Sequence, residues 1–265
     1  MTWDPALYLR FQDLRLRPAL ELLARVDLEA PARLVDLGCG TGTSTRLLRA
    51  RWPGAGVLGV DSSAEMLAQA RVGDAGVEWI QADLGSWGPP APVDLIFANA
   101  SLQWVGGHDA LLPRLFGALE PGGVLAVQMP ANHGEPAHAL IREVARTGRW
   151  RSRFEGFEPW HPPLAPEEMH ALLAPLGAGL DQWDAVYQQV MAGPAAILAW
   201  VKGTALRPFL DRLEPTEVGA FEAAYLEALA GAYPEFPDGH TLFPFRRRFL
   251  VAKHLGASRA ELRPE

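Results

Sequence analysis

From residue 33 to residue 130 the chain alternates short apolar runs with helix-like segments, joined by short connections, and this rhythm constrains the fold more than any other feature. ARLVDL, VLGVD (57–61), VEWI (77–80), VDLIF (93–97) and GVLAVQM (123–129) read as strands. STRLLRAR (44–51), a segment through Arg71 and DALLPRLFGAL (109–119) read as helices between them. Strands with continuous apolar runs are buried on both faces, which means a parallel sheet covered by helices. Right-handed crossovers then make the expected fold an α/β, doubly wound, mostly parallel sheet of Rossmann-like form. In such sheets ligands bind beyond the carboxyl ends of the strands. Ser62, with Glu65 three residues later, predicts a capping box for the helix after VLGVD. Pro121-Gly122-Gly123 predicts a turn before the fifth strand. The second half adds a helix over 138–147, a Pro-, Arg- and Trp-rich loop, a short helix at 166–176 and a strand over 180–191. Residues 194–232 are mostly helical, and a last strand runs over 241–255. These features predict an antiparallel edge strand and a helical cap on the sheet.

The first strand runs into Val35-Asp36-Leu37-Gly38-Cys39-Gly40-Thr41-Gly42, with glycines at i, i+2 and i+4. A dinucleotide fingerprint places its third glycine at i+5. Asp36, at the end of the strand, would also repel a pyrophosphate. A ligand carrying an amine and a sulfonium, without phosphate, suits this loop better. Asp61 ends the next strand, where an acid takes ribose hydroxyls. Asp83 follows the third strand and can accept from an adenine amino group, and Met66 is placed to lie on the adenine face. VDLGCGTG, GVDSS, ADL and VDLIFANAS together resemble the class I S-adenosylmethionine-dependent methyltransferases. That resemblance implies S-adenosyl-L-methionine as cofactor. Gly38 and Gly40 would pass its methionine and ribose, and Asp36 would help hold the amine. Asp61 with Ser62 would take the ribose, Asp83 with Leu84 and Met66 the adenine, and Asn99 would lie near the methionine end. Glycines serving only a tight turn would leave the three acids unexplained.

The fold hosts many acceptors, so the glycine motif does not choose among them. WDPALYLRF followed by Arg15, Arg17 and Pro18, then NASLQW (99–104), VQMP (127–130), WVKGTALRPFL (200–210) and FRRRFLVA (245–252), resemble the family of trans-aconitate methyltransferases. The resemblance spans residues 3–255 and implies methyl-ester formation on trans-aconitate or a close polycarboxylate. Gln-Trp pairs such as Gln103-Trp104 also occur in the malonyl-acyl-carrier-protein methyltransferases. A tricarboxylate is about triply ionised at neutral pH, carboxyl pKa values lying near ~4. The chain has a net charge of −7, so it must supply local cations. Arginine suits the task because its planar fork pairs with carboxylates bidentately.

Candidates for the acceptor are Arg207, Arg247 and Arg15, with Trp104 and Gln189 beside them. On a strand Arg247 shares its face with Phe249 and Val251, so it points inward, away from Arg246 and Arg248. Each has a plainer use: Arg207 could pair with Asp211, Arg247 with a buried acid, and Arg15 could simply be solvated. Gln189 stands where the family has the His of a Tyr-x-His. The Glu168-Met169-His170 segment lacks the usual aromatic pair, and residues 148–163 are longer than usual. No general base is expected, because a carboxylate nucleophile is already ionised; Gln103 and Trp104 would position it.

The rest of the sequence narrows the alternatives. No apolar run approaches the ~18–20 residues of a membrane span. The N-terminus lacks a secretory signal, and the single cysteine, Cys39, excludes a disulfide framework or a cysteine-built metal site. These features point to the cytoplasm, a small-molecule substrate, and neither nucleic acid, membrane nor metal as partner. The expected organisation is one methyltransferase domain over 1–256. Its core is 30–130, its cap and acceptor elements 131–240 and its last strand 241–255, followed by a tail at 257–265. A different carboxyl methyltransferase, a non-catalytic sensor of S-adenosylmethionine or S-adenosylhomocysteine, and more distantly a dinucleotide oxidoreductase are the competing readings.

Overall fold

A computed structural model describes residues 12–73 and 76–256. Side chains are described from Leu16 onward, so those of Tyr8, Phe11 and Arg15 lie outside the described residues, as does the tail 257–265. In chain order the elements are α1 (Gln12–Ala24), β1 (Arg33–Leu37), α2 (Thr43–Arg51), β2 (Gly56–Asp61), α3 (Ala64–Gly73) and β3 (Glu78–Gln81). There follow β4 (Val93–Asn99), α4 (His108–Phe116), β5 (Leu119–Pro130), α5 (Pro136–Arg146), α6 (Pro166–Leu173) and β6 (Ala178–Met191). The last are α7 (Gly193–Lys202), the single turn α8 (Arg207–Leu210), α9 (Pro215–Ala232) and β7 (Thr241–His254).

One seven-stranded sheet runs in the order β3-β2-β1-β4-β5-β7-β6. The pairs β2–β3, β1–β2, β1–β4 and β4–β5 are parallel, and β7 runs antiparallel to β5. The expected doubly wound sheet is therefore present, with its strand order reversing between β1 and β4. β5 begins earlier than the sequence suggests, at Leu119. The Pro121-Gly122-Gly123 turn is absorbed into the strand as an irregularity, the register shifting between Val93 and Leu95. The predicted capping box is also displaced by one residue. Met66 N–H donates to Ser63 Oγ at 3.2 Å, so Ser63 and not Ser62 caps α3. Asp61 takes the Ser63 N–H and holds the chain in that register.

The chain divides into two compact units. The sheet unit comprises Leu16–Pro130, His161–Ala185 and the described part of Arg247–Glu265. One face of its sheet buries Val35, Leu37, Ile96, Ala98, Leu125 and Val127 against Leu112, Leu115 and Phe116 of α4 and Met169 and Leu173 of α6. On the other face Phe249 stacks on Trp183 at 4.6 Å between centroids, and Trp183 Nε1 donates to Glu21 of α1. The helical unit comprises Ala131–Trp160 and Val186–Arg246, to which residues 12–15 are also assigned. It packs Trp150, Phe154, Phe209, Phe221, Tyr225 and Phe243 together. Tyr225 Oη donates to the Ala137 carbonyl at 2.8 Å and Tyr233 Oη accepts from the Ala137 N–H at 3.0 Å, anchoring the start of α5. No helix among the described residues is long and apolar enough to cross a membrane.

Candidate active site

The loop after β1 turns through three glycines in the left-handed region, Gly38 (φ 80°), Gly40 (φ 54°) and Gly42 (φ 78°). Gly38 is obligatory twice over. Its φ disfavours any side chain, and a Cβ there would lie 2.1 Å from Ser101 Cβ. A Cβ at Gly40 would meet nothing within 4 Å, so the bare backbone there can be approached closely. Four of the loop amides are already used. Gly38 and Cys39 donate to the Val60 carbonyl, Gly40 to Asp61 Oδ2 and Gly42 to the Cys39 carbonyl. A phosphate cradle needs such N–H groups directed at the ligand. Spent amides beside two carboxylates make the opposite arrangement, one suited to a cation.

Asp36 is fully buried at the end of β1. Its Oδ2 accepts from Ser44 Oγ at 2.8 Å and Thr45 Oγ1 at 2.6 Å, at the start of α2. Its Oδ1 has no hydrogen-bond partner. Burial pushes its pKa up to about 6, against the pull of the Thr45 and Ser44 hydrogen bonds and with help from the Asp61 charge. The sign of the linkage is fixed by that direction. A raised pKa favours the protonated form in the fold, so the stabilisation is complete below pH ~4 and is lost as pH rises through about 6. A shift of this size corresponds to about 3 kcal/mol. Asn at this position keeps an acceptor for both hydroxyls and does not titrate. Without cofactor, the stability of wild type relative to Asp36→Asn should fall by roughly that amount between pH ~4 and pH ~7.5. Urea unfolding at a series of pH values measures it, and a pH-independent difference would show that the Asp36 pKa is not raised.

Asp61 is half-buried and held at both oxygens, Oδ2 by Gly40 N–H and Oδ1 by Ser63 N–H, each at 2.8 Å. Ser62 is exposed beside it. Met66 and Leu84 are buried. Asp83 is exposed, with Oδ1 accepting from Gly85 N–H at 3.2 Å and Oδ2 from Ser86 Oγ at 3.0 Å. Asn99 ends β4 with a buried Oδ1 that has no partner. The next residue, Ala100, is the only non-glycine with positive φ among the described residues (53°), a strain of order 1–2 kcal/mol. That turn brings Ser101 Oγ onto the Leu37 carbonyl at 2.7 Å, beneath Gly38. Gln103 Nε2 donates to the Ala100 carbonyl at 2.7 Å, and Trp104 is about half exposed.

The three consecutive arginines of β7 separate as alternation requires. Arg246 meets Glu135 at 3.3 Å. Arg248 forks onto both oxygens of Asp184 at 2.9 and 3.0 Å, which raises its pKa. Arg247 is only 3% exposed, and its Nη1 donates to Gln128 Oε1 at 3.2 Å. In the helical unit Arg207 Nε donates to Asp211 at 3.0 Å, the plainer pairing considered for it, and Gln189 is buried with an unpartnered Oε1. Cys39 is buried among carboxylates, which pushes its thiol pKa far up and leaves it inert.

Strand register explains how these residues come together in the sheet unit. Asp36 pairs with Gly59 and Phe97, and Phe97 with Ala126. One step further along, Asn99 pairs with Gln128 and Gln128 with Phe249, and then Pro130 with Arg247. Laterally paired residues share a face, and so do residues two apart. Asp36, Asp61, Asn99, Gln128 and Arg247 therefore all project from one face, level with the carboxyl ends of the parallel strands. Sequence reading did not single out Gln128, Ser44 or Thr45. The signal for Gln128 was its place as the one polar residue in VLAVQM.

A doubly wound sheet with acids at the ends of β1 and β2 and a glycine loop between β1 and α2 defines the class I methyltransferases. Residues 34–123 match the family model described as a methyltransferase domain. The trans-aconitate 2-methyltransferase of Azoarcus sp. is 53% identical over 251 residues, covering 95% of this chain and 98% of the relative. That of Paracidovorax citrulli is 51% identical over 255 residues, with the same coverage. Among solved structures, a cyclopropane synthase from Mycobacterium tuberculosis shares the fold, with a TM-score of 0.56 and 19% identity over 90% of this chain and 84% of that one. The chain belongs to the trans-aconitate 2-methyltransferase family.

Proposed function

We propose that this chain transfers a methyl group from S-adenosyl-L-methionine to a carboxylate oxygen of trans-aconitate or a close polycarboxylate, giving a monomethyl ester. The observation that carries this reading is the roughly half-identical match, along 95% of the chain, to relatives with that activity in their names. The residues at the sheet ends suit the cofactor. Asp36, with an unpartnered buried oxygen, and Asn99 offer acceptors to its ammonium group. Gly38 and Gly40 let it lie against the backbone, Asp61 with Ser62 takes the ribose, and Asp83, Leu84 and Met66 bound the adenine. When bound, it supplies an electrophilic methyl on a sulfonium.

Arg247 is the cation expected to hold the acceptor, with Arg207, Arg15, Trp104 and Gln189 as further contacts and Gln103 and Trp104 as positioning groups. No proton has to be removed. The carboxylate oxygen forms the new bond, the sulfur–methyl bond breaks with its electron pair returning to sulfur, and an anion and a cation are consumed. Exclusion of water favours such charge destruction, and alignment of oxygen, carbon and sulfur supplies the remaining acceleration.

A turnover screen of di- and tricarboxylates with methyl-labelled cofactor tests the proposal. Trans-aconitate or a near analogue should become labelled as a base-labile ester. On the best acid kcat should stay nearly flat from pH ~6.5 to ~8.5, a range above carboxyl pKa values. A slope through that range with chemistry rate-limiting would require a titrating base and another kind of acceptor. Labelling of a malonyl thioester but of no free acid would move the chain to a carrier-protein substrate.

A further inference from the structure

Gln128 lies near the carboxyl end of β5, fully buried, with apolar neighbours on either side in the strand. Its amide orientation is determined by its neighbour. A guanidinium can only donate, so the oxygen of Gln128 must face Arg247 Nη1, at 3.2 Å, and the NH2 group must face away from it. That Nε2 has no hydrogen-bond partner. Directly across the ladder, Asn99 Oδ1 also has none. An unmet donor and an unmet acceptor thus stand on adjacent strands, about 5 Å apart at strand spacing, without meeting each other.

The unmet groups along this face change character at that point. On the β1–β4 side they are acceptors, Asp36 Oδ1 and Asn99 Oδ1. On the β5–β7 side the unmet group is a donor, Gln128 Nε2, and it stands beside the positive guanidinium of Arg247. Acceptors suit an ammonium group, and donors suit a carboxylate. We propose that Gln128 is a specificity-determining contact for the methyl acceptor, its Nε2 donating to a carboxylate that Arg247 also engages, so that anion and cation are sorted to opposite sides of the β4–β5 boundary. This rests on the polycarboxylate reading above. It assigns Gln128 two tasks, orienting Arg247 through its oxygen and binding the acceptor through its nitrogen.

Two variants separate these tasks from a merely structural one. Gln128→Met keeps length and volume but removes both the Nε2 donor and the Oε1 that accepts from Arg247 Nη1. It should raise the trans-aconitate KM, and the Kd of trans-aconitate for the protein saturated with S-adenosylhomocysteine, by about 10- to 100-fold, as expected for loss of a hydrogen bond to a charged group. The Kd of S-adenosylhomocysteine should be unchanged, while Tm falls because Arg247 Nη1 loses a buried acceptor. Gln128→Glu sets an anion beside Arg247 and opposes the acceptor carboxylate. It should impair acceptor binding more than Gln128→Met does while Tm is kept or raised, and it carries the test if the Met variant does not fold. Wild-type acceptor KM and Kd in Gln128→Met would overturn the assignment, as would a parallel loss of Tm and S-adenosylhomocysteine affinity with the acceptor KM unmoved. If wild type itself methylates no di- or tricarboxylate, the polycarboxylate reading fails and this one with it. Wild-type turnover with an unmoved variant overturns Gln128 alone.

Discussion

Replacing Arg247 by Ala is expected to lower kcat/KM for the polycarboxylate acceptor by roughly 30- to several-thousand-fold, the range that follows from ~2–5 kcal/mol for truncating one partner of a buried charged pair. The size of the effect follows from burial. Arg247 is 3% exposed on the inner face of β7, where a carboxylate that lost it would gain no compensating hydration. Arg247→Lys should recover only part of the loss, because an ammonium keeps the charge but not the planar fork. The affinity for S-adenosylmethionine should change little, since β7 is separated from β1 by both β4 and β5. Steady-state kinetics on the best acid and calorimetry with S-adenosylhomocysteine make the check together. Full kcat/KM in the Ala variant on every acid tested would place the acceptor elsewhere.

Asp61→Ala should weaken cofactor binding by about 10- to 150-fold, the equivalent of ~1.5–3 kcal/mol for hydrogen bonds to a charged acceptor. The loss has two parts. The ribose hydroxyls lose the carboxylate, and the glycine loop loses the tie between Asp61 Oδ2 and Gly40 N–H, as the start of α3 loses that between Oδ1 and Ser63 N–H. Asp61→Asn keeps one carbonyl oxygen and should fall between the two. Calorimetric titration with S-adenosylhomocysteine reads the effect directly, and acceptor KM measured at saturating cofactor should stay near its wild-type value. Wild-type affinity in Asp61→Ala would remove Asp61 from the ribose site.

Much of this protein is legible along the chain because its determinants are local. Uninterrupted apolar runs such as Leu95–Ala98 can be stable only with both faces covered, and that requirement leads to the parallel sheet. The glycines at 38, 40 and 42 and the acids at 36, 61 and 83 sit at strand ends, so their common end of the sheet follows from the alternation of strand and helix. The inward face of Arg247 follows from period two along a strand. What the chain could not reveal depends on which strand lies beside which, and in what register. Gln128 is an ordinary glutamine until β4 sets Asn99 next to it and β7 brings Arg247 across from Pro130. Only then does its nitrogen become an unmet donor with a defined direction. The cap of α3 moved from Ser62 to Ser63 for a similar reason, because Asp61 takes the Ser63 N–H. Arg246, Arg247 and Arg248 look alike in sequence. Tertiary structure distinguishes them by partner, giving Arg246 to Glu135, Arg248 to Asp184, and Arg247 to the buried amide of Gln128. Periodicity sets the face on which a side chain lies, and long-range pairing decides what it meets there.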